Sequence, residues 1–245
     1  MPHIDTPAGP LTYLDQGSGP VLVLLHGIQG TARTWDAVAA ALAPRYRVVR
    51  PNLRGRAGSH SPPVADDYSL AGFAADLAAI LRFIGEPAVV VAWSMGVSVA
   101  LEMLRSFPDL RPRGLMLVSG TPCAGDEARW FRGASAAEVA EEARARGVAL
   151  SLTEAALPHA VAASWQHVRL ADFRDELEKI SVPVQVLHAA LDDQCPIAHG
   201  RLLAQGIPGA HLDEWPGAGH NPMAANPVRF AEAVDRFAGG LLRTA

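Results

Sequence analysis

Ala88-Val89-Val90-Val91-Ala92-Trp93-Ser94-Met95-Gly96 is the stretch whose reading decides the fold. The run from Ala88 to Ala92 is short, apolar and rich in β-branched residues, which predicts a strand buried on both faces. From Met95 to Leu104 the chain reads as a buried helix, and Phe107-Pro108 marks its end. Ser94 is therefore pinched in a sharp strand-to-helix turn. Ala92 and Gly96 flank it at two residues' distance and are small enough to let neighbouring backbone pass close by. Such a turn lifts a hydroxyl above the end of a sheet. It also directs the Met95 amide and the positive end of the helix at the same spot.

Strand and helix alternate on both sides of this turn. Residues 3–6 and 11–14 predict an edge hairpin, and residues 21–26 a buried strand ending at Gly27. Thr31 predicts the cap of an amphipathic helix carrying Trp35, Val38 and Leu42. A strand over 46–49 leads into the loop 51–59, and Ser69 opens a helix with Leu70, Phe73, Leu77, Ile80 and Leu81 at helical spacing. Further strands are expected over 115–119, 184–188 and 211–215, with helices over 197–205 and 227–242. Short turns and continuously apolar strands predict an α/β protein: a mostly parallel, doubly wound sheet of about eight strands with helices on both faces. Residues 123–167 break the rhythm with Trp130, Phe131, an Ala/Glu/Arg-rich helix over 135–146 and a second helical stretch over 153–166. They are expected to form a small helical cap inserted after the sixth strand, with residues 1–122 and 168–245 making the core.

Composition sets the outer limits. The length of 245 residues suits one such domain, and 49% hydrophobic residues can fill its core. A net charge of −4, with both signs mixed along the chain, leaves no basic face for nucleic acid. No apolar run is long enough to span a membrane. Met1-Pro2-His3-Ile4-Asp5 lacks the basic and apolar regions of a secretion signal, so a cytoplasmic protein is expected. The two cysteines, Cys123 and Cys195, make neither a disulfide framework nor a metal cluster and are expected to stay reduced. Nothing in the sequence calls for a cofactor or a metal.

A serine hydroxyl needs a histidine to take its proton and a carboxylate to orient that histidine. Of nine histidines, only His220 sits in a glycine-rich turn soon after a late strand, in Pro216-Gly217-Ala218-Gly219-His220-Asn221-Pro222. His26 and His188 read as structural, and His159 and His167 fall in or beside the excursion. For the acid, the strand over 184–188 runs into Ala189-Ala190-Leu191-Asp192-Asp193-Gln194-Cys195-Pro196. The residues alone leave both aspartates open.

Taken together these stretches resemble the α/β-hydrolases. His26-Gly27-Ile28-Gln29-Gly30 resembles the H-G-x-x-G oxyanion loop, and Pro51-Asn52-Leu53-Arg54-Gly55…Ser59 the D-x-R-G-x-G-x-S loop with Asn52 in place of the acid. Ala92-Trp93-Ser94-Met95-Gly96 resembles the nucleophile elbow, with Ala92 where the first glycine usually stands. The resemblance implies Ser94 as nucleophile, His220 as base and Asp192 as acid, since the acid usually stands four residues before the next proline. It implies the amides of Ile28 and Met95 as oxyanion donors. The expected activity is hydrolysis of a small-molecule carboxylic ester or lactone through an acyl-enzyme. Trp35, Trp93, Trp130, Phe131, Trp165 and Met223 are the candidate substrate-binding residues. The same fold also serves C–C bond hydrolases, hydroxynitrile lyases, perhydrolases, acyltransferases and ligand-binding receptors. The single lysine, Lys179, speaks against a lyase that needs a charged donor in its pocket.

Overall fold

The computed structural model describes residues 1–242 except Asp126 and Arg129. Eight strands form one sheet: β1 (His3–Ile4), β2 (Leu11–Gln16), β3 (Val21–Leu25), β4 (Arg47–Pro51), β5 (Ala88–Trp93), β6 (Gly114–Val118), β7 (Val184–Ala189) and β8 (His211–Trp215). Their spatial order is β1-β2-β4-β3-β5-β6-β7-β8. β1 and β2 run antiparallel to their neighbours, and β3 to β8 are mutually parallel. The order reverses at β3, with β4 on one side and β5 on the other, so the crevice above the carboxyl ends of β3 and β5 is the expected place for a site.

Successive strand side chains point to opposite faces, and both faces are covered. Val21, Val23, Leu25, Val90, Ala92 and Leu117 pack into one core with helices α2 (Leu70–Ile84) and α3 (Met95–Ser106). Leu22, Leu24, Val48, Val89, Val91 and Val118 pack into the other, beneath α1 (Asp36–Leu42) and α8 (Pro227–Leu242). In α8 the buried residues Phe230, Ala231, Val234 and Ala238 recur at helical spacing.

Local signals explain most boundaries. The Ser69 hydroxyl accepts the Gly72 amide at 3.2 Å and starts α2, and Gly85 ends it in the left-handed region at φ 65°. Thr31 forms a capping box with Thr34, but the segment it opens is a 3-10 turn over Ala32–Trp35, and α1 begins only at Asp36. Trp35 is wholly buried in that tight turn, so core packing sets its local geometry. Between β6 and β7 lie α4 (Ala136–Ala149) and α5 (Pro158–Val168), packed on one another. Pro158 stands at the first turn of α5, where its missing N–H costs nothing, so the helix starts there rather than at Thr153. α6 (Ile197–Gly206) and the short α7 (Pro222–Ala225) complete the fold. Among the described residues no helix is long and apolar enough to cross a membrane.

Candidate active site

Ser94 joins β5 to α3 with φ 57° and ψ −120°, a backbone state that is costly for a residue with a side chain. Three features hold it there. The Ser94 amide donates to Val118 O in β6 at 3.0 Å, and the Ser94 carbonyl accepts the Val97 amide at 2.9 Å. Gly96 lets the helix sit on β3, since a Cβ there would stand 2.9 Å from Leu25 O and 3.1 Å from His26 O. The turn leaves the Met95 amide at the N-terminus of α3, where backbone donors have no helical partner.

His220 reaches this hydroxyl from the loop after β8: its Nε2 lies 3.0 Å from Ser94 Oγ. Its Nδ1 lies 2.9 Å from both carboxylate oxygens of Asp192, in the loop after β7. The two loops are tied together by the Leu191 amide, which donates to Ala218 O at 3.0 Å. Trp93 fixes the histidine further: its indole N–H donates to His220 O at 2.8 Å, and its ring lies 5.4 Å from the imidazole. Asp192 Oδ1 also accepts the amides of Gln194 and Cys195 at 2.9 and 2.8 Å. Burial alone would raise the Asp192 pKa. The hydrogen bond and charge of His220 and the two amides outweigh it and hold the carboxyl below its usual range. Asp193, one residue on, is exposed. The chain thus brings Ser94, His220 and Asp192 into one hydrogen-bonded line, in which the imidazole can take a proton from the hydroxyl and the carboxylate can orient the ring.

The loop after β3 lies against the serine, since a Cβ on Gly27 would stand 3.1 Å from Ser94 Cβ. His26 sets this loop's geometry. Its Nε2 accepts the Leu53 amide at 3.2 Å, so Nδ1 carries the proton and donates to Gly27 O at 2.8 Å. Burial first, and the nearby charge of Arg56 second, depress the His26 pKa to about 3, so the ring stays neutral. Because a peptide is planar and trans, fixing Gly27 C=O fixes the Ile28 N–H in the opposite direction. Asn52 occupies the position where the family pattern has an acid. It accepts the Ala32 amide at 2.7 Å and donates to Thr12 Oγ1 at 3.1 Å, the second of which a carboxylate could not do.

The remaining expected residues divide. Trp130, Phe131 and Trp165 form one aromatic group, with Trp165 centred 5.4 Å from Trp130 and 5.8 Å from Phe131. The Trp130 indole donates to Cys195 Sγ at 3.3 Å, which seats the group on the acid loop. Trp35 and Met223 are fully buried on the other face of the sheet, where Trp35 lies 5.7 Å from Phe230. Ser94 is 3% exposed and His220 8%, so the three-residue line is covered. Both cysteines are free, and burial, then the Asp192 charge, push the Cys195 thiol well above its usual range. Lys179 pairs with Glu176 at the surface. His159 contacts Ser61 and Tyr68, and His167 lies 3.9 Å from Asp66.

Other residues around the site have no motif to announce them. His188 is buried and neutral, and Nε2 donates to Cys195 O at 2.7 Å, bracing the loop that carries Asp192. Its one sequence signal is its place four residues before the acid at a strand end. Gln29, itself in the loop after β3, reaches Ala143 O on α4, and Arg56 reaches Ile28 O in that loop, both contacts between residues far apart in the chain.

The model of the alpha/beta hydrolase family matches residues 22–233. The chain is 31% identical to a pimeloyl-[acyl-carrier protein] methyl ester esterase of Aeromonas hydrophila, over 91% of this chain and 97% of that one. A thermophilic esterase from Thermogutta terrifontis superposes with a TM-score of 0.81 at 26% identity, over 98% of both chains. The enol-lactonase from Burkholderia xenovorans shares the fold at a TM-score of 0.81 and 21% identity, over 97% of this chain and all of that one (100%).

Proposed function

Because the chain belongs to the alpha/beta hydrolase family, we propose that it is a serine hydrolase acting on carboxylic esters or lactones of small, mainly apolar substrates. The observation that carries this reading is the line from Ser94 Oγ through His220 to Asp192, at 3.0 and 2.9 Å. Ser94 Oγ attacks the carbonyl carbon as its proton passes to His220 Nε2. Asp192 stabilises the imidazolium without taking its proton. The carbonyl oxygen becomes an oxyanion facing the amides of Ile28 and Met95. In measured cases, removing one donor of such a hole costs about 3–4 kcal/mol in the transition state. The tetrahedral intermediate collapses, and His220 returns the proton to the leaving alkoxide. A water molecule, deprotonated by the same ring, then attacks the acyl-enzyme and releases the acid.

Residues 123–167 act as a cap over the core formed by 1–122 and 168–245. Two observations support this: Ser94 and His220 are covered, and the Trp130–Phe131–Trp165 group rests on the acid loop. Access by substrate then requires cap movement, as in enzymes that close over their reactants. Those three aromatic residues are the proposed substrate-facing surface, while Trp93 packs with the core cluster of Trp35 and Met223 and braces His220. The apolar character of the three favours an apolar acyl group. The 31% identity to a methyl ester esterase supports an ester as the scissile bond.

Steady-state hydrolysis of p-nitrophenyl acetate, butyrate and octanoate, with an aryl-substituted lactone beside them, tests the proposal. Turnover of at least one substrate by the wild type and its loss in Ser94→Ala is the expected result. Absence of turnover across the series, or turnover undiminished in Ser94→Ala, refutes it.

A further inference from the structure

We infer that Arg56 is a positioning residue for the oxyanion loop, and that through it the seating of the cap sets the geometry of the oxyanion hole. The inference rests on the proposed role of the Ile28 amide. Ile28 lies between two peptide planes. The plane before it is held by His26 at Gly27 O. The plane after it is held by Arg56, whose Nη2 donates to Ile28 O at 2.7 Å. With both planes fixed, the Ile28 N–H has one direction.

The same segments are bonded to the cap. Arg56 Nη2 lies 3.5 Å from Ser164 Oγ on α5. Gln29 Nε2 donates to Ala143 O on α4 at 2.5 Å, and Gln29 O accepts the Ala156 amide at 3.1 Å. The Leu157 amide donates to Gly55 O at 3.1 Å, and a Cβ on Gly55 would stand 2.5 Å from Ala160 Cβ. A cap lifted for substrate entry must break these bonds and free Ile28 and Gln29. A cap that reseats restores them.

Stability alone is a poor reason for an arginine here. The side chain is 1% exposed, and its charge lies 5.0 Å from the centre of the Phe73 ring. Among the described residues its acceptors are the neutral oxygens of Arg54, Ile28 and Ser164, and its Nε has no partner. Burial lowers its pKa to about 10, so it stays charged at neutral pH. Among the described residues no carboxylate lies at ion-pair distance from Arg56, and Asp76 acts on it only from further off. A buried cation held this way costs stability, and an apolar residue of similar length is commonly tolerated in its place. What the guanidinium supplies instead is a charge-assisted, directional grip on one carbonyl. The two roles therefore separate under substitution. If Arg56 only fills space, Arg56→Met keeps activity. If it positions the loop, Arg56→Met loses activity and keeps its fold.

The test uses the full chain, a p-nitrophenyl ester and an arylboronic acid. Ser94 Oγ adds to the trigonal boron as its proton passes to His220, and one boronate oxygen then occupies the hole, so its inhibition constant reads hole geometry without turnover. Arg56→Met is expected to lower kcat by about 10- to 100-fold, in keeping with misplacement on the scale of an ångström, with KM changed by less than about threefold. The boronate inhibition constant should rise in parallel with the fall in kcat/KM, and the thermal midpoint should hold or rise. Arg56→Lys, which keeps a charged donor, should recover part of both losses. If Arg56→Met does not fold, Gln29→Ala cuts the strut to α4, and the same paired losses are expected at smaller size. Wild-type kcat and boronate affinity in a folded Arg56→Met, or in Gln29→Ala where it stands in, overturn the inference. A wild type that neither cleaves the ester nor binds the boronate overturns the functional reading and this inference with it.

Discussion

Replacing Asp192 by asparagine removes one charge and turns one oxygen into an NH2 group. The structure decides which oxygen. Asp192 Oδ1 accepts the amides of Gln194 and Cys195, so the carbonyl oxygen of asparagine must stay on that side. The NH2 group then takes the place of Oδ2, 2.9 Å from His220 Nδ1. The carbonyl oxygen also lies 2.9 Å from Nδ1 and can still accept from it, but the uncharged amide no longer stabilises an imidazolium. Its NH2 group, a donor to a bare Nδ1, favours the tautomer with Nε2 protonated. In that tautomer Nε2, 3.0 Å from Ser94 Oγ, donates to the hydroxyl instead of accepting its proton. The expected loss is about 10³- to 10⁴-fold in kcat, or about 4–5.5 kcal/mol at 1.36 kcal/mol per decade. The exposed Asp193 has no such role, and Asp193→Asn should stay within about twofold of wild type. Steady-state kinetics on one chromogenic ester measures both variants, with circular dichroism as the check of fold. A folded Asp192→Asn that keeps more than about a tenth of wild-type kcat, or an Asp193→Asn that loses more, refutes the reasoning.

Three further outcomes follow from the same contacts. His26 has a pKa of about 3 in the folded state and 6.5 as the ordinary value, so the unfolded chain takes up the proton first as pH falls. Its stabilising contribution is complete above about pH 6.5 and is lost toward pH 3 at up to about 1.4 kcal/mol per pH unit. Urea unfolding between pH 7 and 4 should show a shallower dependence by that amount in His26→Asn, and equal slopes contradict it. Trp130→Phe with Phe131→Leu keeps both side chains apolar but makes them smaller, removes the indole bond to Cys195 and reshapes the contacts with Trp165. KM should change along a series of acyl lengths, and an unchanged profile returns these residues to core packing. Gly96→Ala puts a methyl 2.9 Å from Leu25 O, and the overpacking should cost about 1–3 kcal/mol in thermal or urea unfolding, with a wild-type midpoint as the contrary result.

The parts of this molecule that are local in sequence are the parts that can be read from it. The buried strands announce themselves because strands covered on both faces need apolar residues at every position, as in Val21–Leu25 and Ala88–Trp93. The serine turn is legible because sterics demand small residues around it, and Ala92 meets that demand as glycine would. His220 is legible from its glycine-rich turn. The choice between Asp192 and Asp193 comes only from the family spacing to Pro196, because physically it depends on which carboxylate reaches the Gln194 and Cys195 amides and His220. The aromatic residues show the same limit. Trp35 and Trp130 look alike in sequence, yet one packs beneath α8 with Phe230 and the other on Cys195. Trp93, Gln29 and Arg56 act on partners more than twenty residues away in the chain, at His220, Ala143 and Ile28, and no periodicity records such contacts.

The most direct measurement is reaction with a fluorophosphonate, followed by intact mass and peptide mapping. An activated serine attacks phosphorus as its proton passes to His220, and fluoride leaves, giving a stable tetrahedral adduct. The expected result is a single adduct on Ser94, formed without added metal or cofactor, absent in Ser94→Ala and strongly slowed in His220→Ala. An unlabelled wild-type protein, or an adduct that maps to another serine or to Cys195 while ester hydrolysis proceeds, contradicts the assignment of Ser94 as the nucleophile.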